Sequence, residues 1–160
     1  MGIVSYRHPT GGFAMPLPAD WERAEDVQAG LALIAVEPER AGGGFRANLV
    51  VTIEPLAAGT DLDGWQASAD QELIAALSGY LLLDRERLDR DGRGVIRRLA
   101  HHVREDTGSI TMEQWTTVDG EQGFTLTASA ATLEYDGLAE AFAGIADGFH
   151  LGRAPDEVRR

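Results

Sequence analysis

Apolar and polar residues alternate along Phe45–Glu54, and a period of two residues predicts a β-strand with one buried face. The apolar face comprises Phe45, Ala47, Leu49, Val51 and Ile53. The period then lengthens to that of a helix, whose apolar stripe comprises Leu62, Trp65, Ala69, Leu73, Ala76 and Leu77. Thr60 or Asp61 is a suitable N-cap, and Gly79 is a suitable C′ residue. We therefore expect a helix that Trp65 anchors over the strand.

Three further strands are predicted before this unit. A turn formed by residues 8–12 separates the two strands of an N-terminal hairpin. Pro16 and Pro18 place the second of these strands at a sheet edge or in a loop, because proline donates no hydrogen bond to a ladder. The run Leu31–Val36 has the length and composition of a buried strand, and Trp21 should pack where the chain turns inward.

The second half of the chain predicts four strands and a closing helix. Turn residues such as Asp91-Gly92 and Asp119-Gly120 separate the strands, which are Tyr80–Leu88, Arg93–Arg104, Ser109–Val118 and Gly123–Ala131. A helix over Leu133–Phe149 follows, and its apolar stripe comprises Leu138, Phe142, Ile145, Ala146 and Phe149. The pattern leaves the register at Asp119-Gly120 open, and with it the face on which Trp115 lies.

Hairpin connections make neighbouring strands antiparallel. The predicted fold class is therefore α+β, with a largely antiparallel β-sheet and two main helices packed on it. The length of 160 residues and the hydrophobic fraction of 44% predict one domain with a substantial core. We expect residues 1–151 to form this domain and the polar residues 152–160 to form a flexible tail.

The charge balance narrows the classes of partner. The formal net charge is −12, and all fourteen basic residues are Arg. A strongly acidic chain is a poor ligand for the phosphates of nucleic acids or for anionic membrane surfaces. The absence of Cys excludes disulfides, thiolate metal sites and a Cys nucleophile. No apolar run has the length of a signal peptide or a membrane span, so we expect a cytoplasmic protein without membrane insertion.

The order of these elements resembles the PsbP-like superfamily. The resemblance rests on the strand ANLVVTIEPL at residues 47–56, the Trp-bearing helix after it, the two hairpins and the final helix. The segment FAMPLPADW at residues 13–21 is similar to the superfamily's common entry, where an aromatic-apolar strand runs into Pro and Trp. The resemblance covers about residues 10–150 and includes no signature motif.

The resemblance implies an α/β/α sandwich around an antiparallel sheet. The superfamily includes photosystem accessory proteins, a Ran-binding nuclear import factor, bacterial lipoproteins of the LpqN kind and chaperones of secretion effectors. Binding to other proteins is what these members share, and no common catalytic site comes with the fold. No residues of this chain match the Ran-binding surface or a photosystem metal site. The expected absence of a signal peptide departs from the lipoprotein members.

No motif in the chain predicts a reaction. His101 and His102 are adjacent in a strand and point to opposite faces, which makes a shared metal site unfavourable. No G-x-S-x-G motif occurs, and a helix start explains the carboxylate pair of Asp61 and Asp63. The Gly-rich residues 41–44 join two strands and lack the strand-to-helix setting of a phosphate loop. We therefore expect a non-enzymatic protein without catalytic, cofactor-binding or metal-binding residues.

The candidate partner-binding surface lies on the two central hairpins. It comprises Arg97, Arg98, His102, Arg104, Glu113 and Trp115. Seven of the fourteen Arg fall within residues 85–104. They form either a docking patch for an acidic partner or ion pairs with Asp84, Glu86, Asp89 and Asp91. Trp115 either packs in the core or lines an open face of the sheet.

These observations favour binding to another protein as the function. A chaperone or adaptor for a secreted or membrane-associated partner is the more specific hypothesis, and the sequence does not name the partner. One alternative is an enzyme or small-molecule carrier, whose pocket beside the sheet would bring His101 or His102 together with carboxylates. Another is a self-associating protein, and the sequence leaves homodimer formation open.

Overall fold

A computed structural model describes residues 2–152, which form ten strands and two helices. The strands are β1 Ile3–Arg7, β2 Phe13–Pro18, β3 Glu22–Gln28, β4 Leu31–Val36, β5 Asn48–Pro55, β6 Leu81–Arg90, β7 Arg93–Arg104, β8 Gly108–Asp119, β9 Gln122–Ala131 and β10 His150–Leu151. The helices are α1 Leu62–Ala76 and α2 Thr132–Asp147. Neither described helix is long and apolar enough to cross a bilayer. The predicted tail at 152–160 lies outside the described residues except for Gly152.

Seven strands form one antiparallel sheet in the order β3-β4-β5-β9-β8-β7-β6. Short turns dictate the order from β6 to β9, because each turn returns the chain beside the strand it has just left. Gly92 and Gly120 take the positive φ angles of 78° and 61° that suit such turns. α1 carries the chain from the inner strand β5 to β6 at the edge. The α+β class and the antiparallel sheet are confirmed.

A second sheet has three strands in the order β1-β2-β10. It packs with α2 on one face of the large sheet, and α1 lies on the other face. β1 and β2 form the predicted N-terminal hairpin. Pro16 and Pro18 lie in the half of β2 that β10 does not reach, because β10 pairs only with Phe13 and Ala14. β2 is nevertheless the central strand of the small sheet, so the prediction that it lies at an edge is wrong for the strand as a whole. Only the part that carries Pro16 and Pro18 lacks a second neighbour.

The hydrophobic core lies between the large sheet and the layer formed by α2 and the small sheet. Fully buried side chains from all three elements meet there, among them Phe13, Leu17, Leu49, Leu126 and Phe142. α1, in contrast, buries only Leu62 and Gln66. The two sides of the sandwich are therefore packed unequally, and the α2 side contributes most of the apolar burial.

Trp65 contacts β5, but on the strand's polar face and not on its apolar face. Leu49 and Val51 belong to the core on the α2 side, whereas Trp65 lies on the other face beside Glu54 and Gly123. A Cβ on Gly123 would come within 2.5 Å of the Trp65 ring. Glu54 pairs with Gly123 in the β5–β9 ladder, so both face α1. A period of two identifies a buried face but not the helix that covers it.

α1 begins where the sequence predicts and ends earlier. Asp61 is the N-cap, and its side chain accepts a hydrogen bond from the Gly64 amide at 2.7 Å. The helix ends at Ala76, because Leu77 takes an extended conformation as the C-cap. Gly79 has a φ of +63° but lies two residues beyond Leu77, so the prediction that it is the C′ residue is wrong.

The turn between β8 and β9 fixes the register that the sequence leaves open. Asp119 pairs with Gln122, so Gly120 and Glu121 form a two-residue loop. Trp115 therefore lies opposite Leu126, and only 6% of Trp115 is exposed. Of the two alternatives for Trp115, packing in the core is the one observed.

Candidate functional site

The six residues predicted to form a partner-binding surface are divided between the faces of the sheet. The α2 face carries Arg97, Glu113 and Trp115, the α1 face carries Arg98 and His102, and Arg104 ends β7. Arg98, Glu113 and Trp115 are buried. The interpretation as one exposed surface is therefore wrong, because neighbouring residues of a strand point to opposite faces. That Arg97, His102 and Arg104 contact a partner stays a prediction.

Arg98 fastens α1 to the sheet. Its guanidinium is fully buried and donates to both the side-chain oxygen and the backbone carbonyl of Gln66, the latter at 2.9 Å. Its Nε donates to Asp70 Oδ1 at 2.7 Å. A buried charge is tolerated only where partners replace its water, and α1 supplies all of these partners. Arg98 is therefore a structural anchor.

Glu113 holds a second network on the α2 face. Its carboxylate accepts hydrogen bonds from Arg97 Nε at 2.6 Å and from the Tyr135 hydroxyl at 2.7 Å. Burial raises the pKa of Tyr135, and the hydrogen bond to Glu113 raises it further. Arg97 also lies 3.1 Å from Asp84 and 3.2 Å from Glu86. The network ties the start of α2 to β8, β7 and β6.

Every Arg within residues 85–104 has a carboxylate partner. Arg97 pairs with Asp84 and Glu86, two of the acids that the ion-pair alternative names. The remaining partners come from other parts of the fold, and the pairs are Arg85–Asp70, Arg87–Asp63, Arg90–Asp147, Arg93–Asp119, Arg98–Asp70 and Arg104–Asp106. Carboxylates of the same chain thus neutralise the positive charge of the Arg-rich hairpin, and this charge alone does not make a docking patch.

His101 and His102 lie on opposite faces of β7, as predicted. Burial lowers the pKa of His102, and the charge of Arg104 lowers it further. Protonation of His102 is therefore disfavoured at neutral pH. Within residues 2–152, no three His, Asp or Glu side chains are placed to hold a metal ion.

His8 joins the N-terminal hairpin to the large sheet, a role that the sequence does not signal. Its Nδ1 accepts hydrogen bonds from the amides of Gly11 at 2.7 Å and Thr10 at 3.2 Å. Nε2 therefore carries the proton and donates to the Ala32 carbonyl at 3.1 Å, with Asp26 Oδ1 at 3.2 Å. The side chain is only 1% exposed. The sequence of residues 8–12 is typical of a turn, and a turn suggests a surface residue.

A cavity of about 210 Å³ opens where the β6–β7 turn meets the end of α2. Its inner wall includes the aromatic residues Trp115, Phe124 and Phe149. Its outer wall includes the polar residues Arg90, Asp91, Arg93 and His150. These residues come from segments far apart in the sequence, so no local motif predicts the cavity. Neither His101 nor His102 lines it.

The edge strand β6 is a second feature open to a partner. Within residues 2–152, β7 is its only neighbour in the sheet. Its first three residues, Leu81, Leu82 and Leu83, are 56%, 39% and 46% exposed. A long edge with exposed apolar residues invites pairing, because its outer backbone groups have no partner in the sheet. β6 thus combines free backbone groups with an apolar end.

This architecture is the PsbP-like fold. Cyanobacterial PsbP from Synechocystis sp. PCC 6803 matches with a TM-score of 0.71 and 17% identity, over 93% of this chain and 92% of that chain. LpqN of Mycobacterium tuberculosis, involved in cell envelope biogenesis, matches with a TM-score of 0.72 and 19% identity, over 95% and 91%. The Ran-binding protein Mog1p of Saccharomyces cerevisiae matches with a TM-score of 0.63 and 12% identity, over 94% and 96%.

These similarities confirm the predicted resemblance at the level of the fold. At 12% to 19% identity, they show the fold alone. No family model and no curated protein matches the sequence. The similarity of fold therefore does not identify the function.

Proposed function

We propose that the chain is a protein-binding domain whose partner docks along the edge strand β6. The observation that carries the proposal is the exposed apolar start of this strand, Leu81–Leu83, on an edge that has no outer neighbour within residues 2–152. A strand of a second protein can hydrogen-bond to such an edge, and pockets for its alternate side chains then provide specificity. Neither a cofactor nor a reaction is part of this role.

One fold neighbour supports protein binding, and another supports a partner at the cell envelope. Mog1p is a Ran-binding protein, and LpqN is involved in cell envelope biogenesis. For this chain, the finer form of the proposal is a cytoplasmic adaptor or chaperone for a secreted or membrane-associated partner. The net charge of −12 supports a protein partner over nucleic acid or an anionic membrane.

An enzyme with a pocket beside the sheet has less support. Its expected signature is a deep pocket in which His101 or His102 meets carboxylates. The lining of the cavity near the end of α2 includes neither His. The buried carboxylate of Glu113 is already engaged by Arg97 and Tyr135. These groups are arranged to hold the fold together.

Two matched variants test the proposal. Leu81→Glu and Val27→Glu place the same charge on apolar residues that are 56% and 57% exposed, at opposite edges of the large sheet. Each protein is immobilised and used to capture partners from an extract of the source organism. We expect Val27→Glu to recover the partner as the wild type does, and Leu81→Glu to recover about tenfold less, because a charge would be buried at the interface.

Hydrogen exchange on the purified complex then locates the contact. The amides of β6 should gain protection when the partner binds. The proposal would be contradicted by equal recovery with Leu81→Glu and the wild type, or by protection that spares β6.

A further inference from the structure

The aromatic cavity has a size that limits its occupant. Trp115 and Phe124 are buried in its inner wall, and Phe149 is half-buried beside them. The volume of about 210 Å³ is below the roughly 300–1,000 Å³ of most small-molecule pockets. A cavity of this size and lining suits one aromatic side chain.

The outer wall of the cavity carries more positive than negative groups. Arg90 and Arg93 line it together with one carboxylate, Asp91, on a protein with a net charge of −12. Arg90 is already used at the end of α2, where it donates to the Ala146 carbonyl at 2.6 Å and pairs with Asp147 at 2.8 Å. Arg93 pairs with Asp119 but, unlike Arg90, donates to no backbone carbonyl, so it is the less engaged of the two cations.

Arg93 retains an unused hydrogen-bond donor. Its Nη1 lies 3.0 Å from Asp119 Oδ1, yet this buried atom makes no hydrogen bond to an acceptor within residues 2–152. Nη1 and Oδ1 are thus close enough for an ion pair, but they are not aligned for a hydrogen bond. A ligand oxygen would supply the missing acceptor, and a carboxylate would do so most strongly.

We propose that the cavity is an anchor pocket, which takes one aromatic side chain of the partner protein while Arg93 binds a carboxylate beside that side chain. The inference rests on the proposed function, since the partner that docks on β6 is the one that supplies the side chain. β6 runs from its apolar end at Leu81 to Arg90, which lines the cavity. The ten residues of β6 span about 33 Å when extended. A partner segment paired along the whole of β6 would therefore end near Arg90, beside the cavity. Aromatic anchors in such pockets commonly dominate interface energies.

Three small probes test separately whether binding requires the aromatic ring and whether it requires the carboxylate. N-acetyl-phenylalanine has the ring and the carboxylate, N-acetyl-phenylalaninamide lacks the charge, and N-acetyl-alanine lacks the ring. Each is titrated into ¹⁵N-labelled protein, and NMR follows the Trp115 indole and the amides of Phe149 and His150. We expect saturable shifts with the first probe, roughly threefold to tenfold weaker binding of the second, and no saturation with the third. Equal binding of the phenylalanine and alanine acids, or shifts remote from the cavity, would overturn the inference.

Variants then assign the carboxylate contact. Arg93→Gln should remove the difference in affinity between the acid and the amide and leave binding of the amide unchanged. Arg87→Gln is the matched control, because Arg87 lies on the same hairpin, pairs with Asp63 and does not line the cavity. Persistence of the difference in Arg93→Gln would overturn the assigned contact.

A peptide distinguishes a protein partner from a free small molecule. The pentapeptide Ac-Ala-Ala-Ala-Ala-Phe should bind more tightly than N-acetyl-phenylalanine, because its backbone continues along β6. Equal affinities would overturn the assignment to a partner protein and indicate a small-molecule site.

The anchor pocket and docking on β6 can fail separately. If Leu81→Glu abolishes capture but the phenylalanine probe does not bind, the pocket is rejected and docking on β6 stands. If the probe binds but Leu81→Glu captures as the wild type does, the assignment of the pocket to this partner is overturned together with docking on β6.

Discussion

Arg98 Nε donates to Asp70 Oδ1 across 2.7 Å, and this contact joins α1 to the middle of β7. α1 buries only two of its own side chains, Leu62 and Gln66. The helix therefore depends on a polar anchor to an unusual degree, since a helix of a globular protein is generally held by an apolar stripe.

Replacement of Arg98 should destabilise the protein strongly. In Arg98→Ala, Gln66 and Asp70 lose their shared partner, and the free energy of unfolding should fall by about 3–5 kcal/mol. Arg87→Ala removes an ion pair with Asp63 in which both side chains are largely exposed, and should cost about 0–1 kcal/mol. Urea denaturation of the two variants checks the comparison. Similar losses in both variants would show that the buried contacts of Arg98 stabilise the protein no more than an exposed ion pair does.

Tyr135 should make stability fall at alkaline pH. Its pKa in the folded protein is raised above the ordinary value near 10, first by burial and then by its hydrogen bond to Glu113. The folded state therefore holds the proton more tightly than the unfolded state. The resulting stability is complete below about pH 10 and is lost as the pH rises above it.

Tyr135→Phe removes this titration. Between about pH 10 and pH 11, the free energy of unfolding should fall less steeply in the variant than in the wild type. Tyr6 has a raised pKa of its own and contributes equally to both proteins. Identical slopes in a series of urea melts would contradict the role of Tyr135.

His8→Ala should weaken the attachment of the N-terminal hairpin to the large sheet. The change leaves the partly buried Gly11 amide and the buried Ala32 carbonyl without their partner, and should cost about 2–4 kcal/mol. His150→Ala alters a His whose side chain is 61% exposed, and should stay within about 0.5 kcal/mol of the wild type. Thermal unfolding of both variants measures the difference, and a His8→Ala protein as stable as His150→Ala would be inconsistent with a bridging role.

Trp65 and Phe142 should differ in their importance for stability. Phe142 is 1% exposed in the core, so Phe142→Ala should cost about 3–5 kcal/mol. Trp65 is half-buried on the thinly packed α1 face, so Trp65→Ala should cost only about 1–2 kcal/mol. Both losses in the free energy of unfolding are measured from the midpoints of denaturant unfolding, in variants whose m-values equal that of the wild type. A larger loss for Trp65→Ala than for Phe142→Ala would contradict the conclusion that the α2 side contributes most of the apolar burial.

The sequence predicts the elements whose residues follow a clear period. β4 and the strands from β6 to β9 are bounded by turn residues and a repeating apolar pattern, and both helices show an apolar stripe. β3 cannot be found in this way, because all seven of its residues are exposed. β10 has two residues and is too short to show a pattern.

The candidate site was harder to predict, because the sequence does not state which residues of different elements meet. The ion pairing of the Arg-rich hairpin is foreseen in part, but the helix residues Asp63 and Asp70 that complete it are 15 or more positions away. Alternation also does not show that Arg98 and Glu113 are buried, since each charge is compensated by a neighbour on another element. The aromatic cavity depends in the same way on packing between distant segments.

The charge order of β6 has a consequence for identical copies of the chain. When two identical strands pair antiparallel about a twofold axis, one residue faces itself. An axis at Arg85 sets Arg85 against Arg85 and Asp84 against Glu86, and an axis at Glu86 sets Glu86 against Glu86 and Arg85 against Arg87. Like charges directly opposite one another destabilise a strand pair. An axis at Leu88, in contrast, sets Arg87 against Asp89 and Glu86 against Arg90, which are pairs of opposite charge. The order of charges along β6 therefore selects between registers: it disfavours two of them and favours the one centred on Leu88.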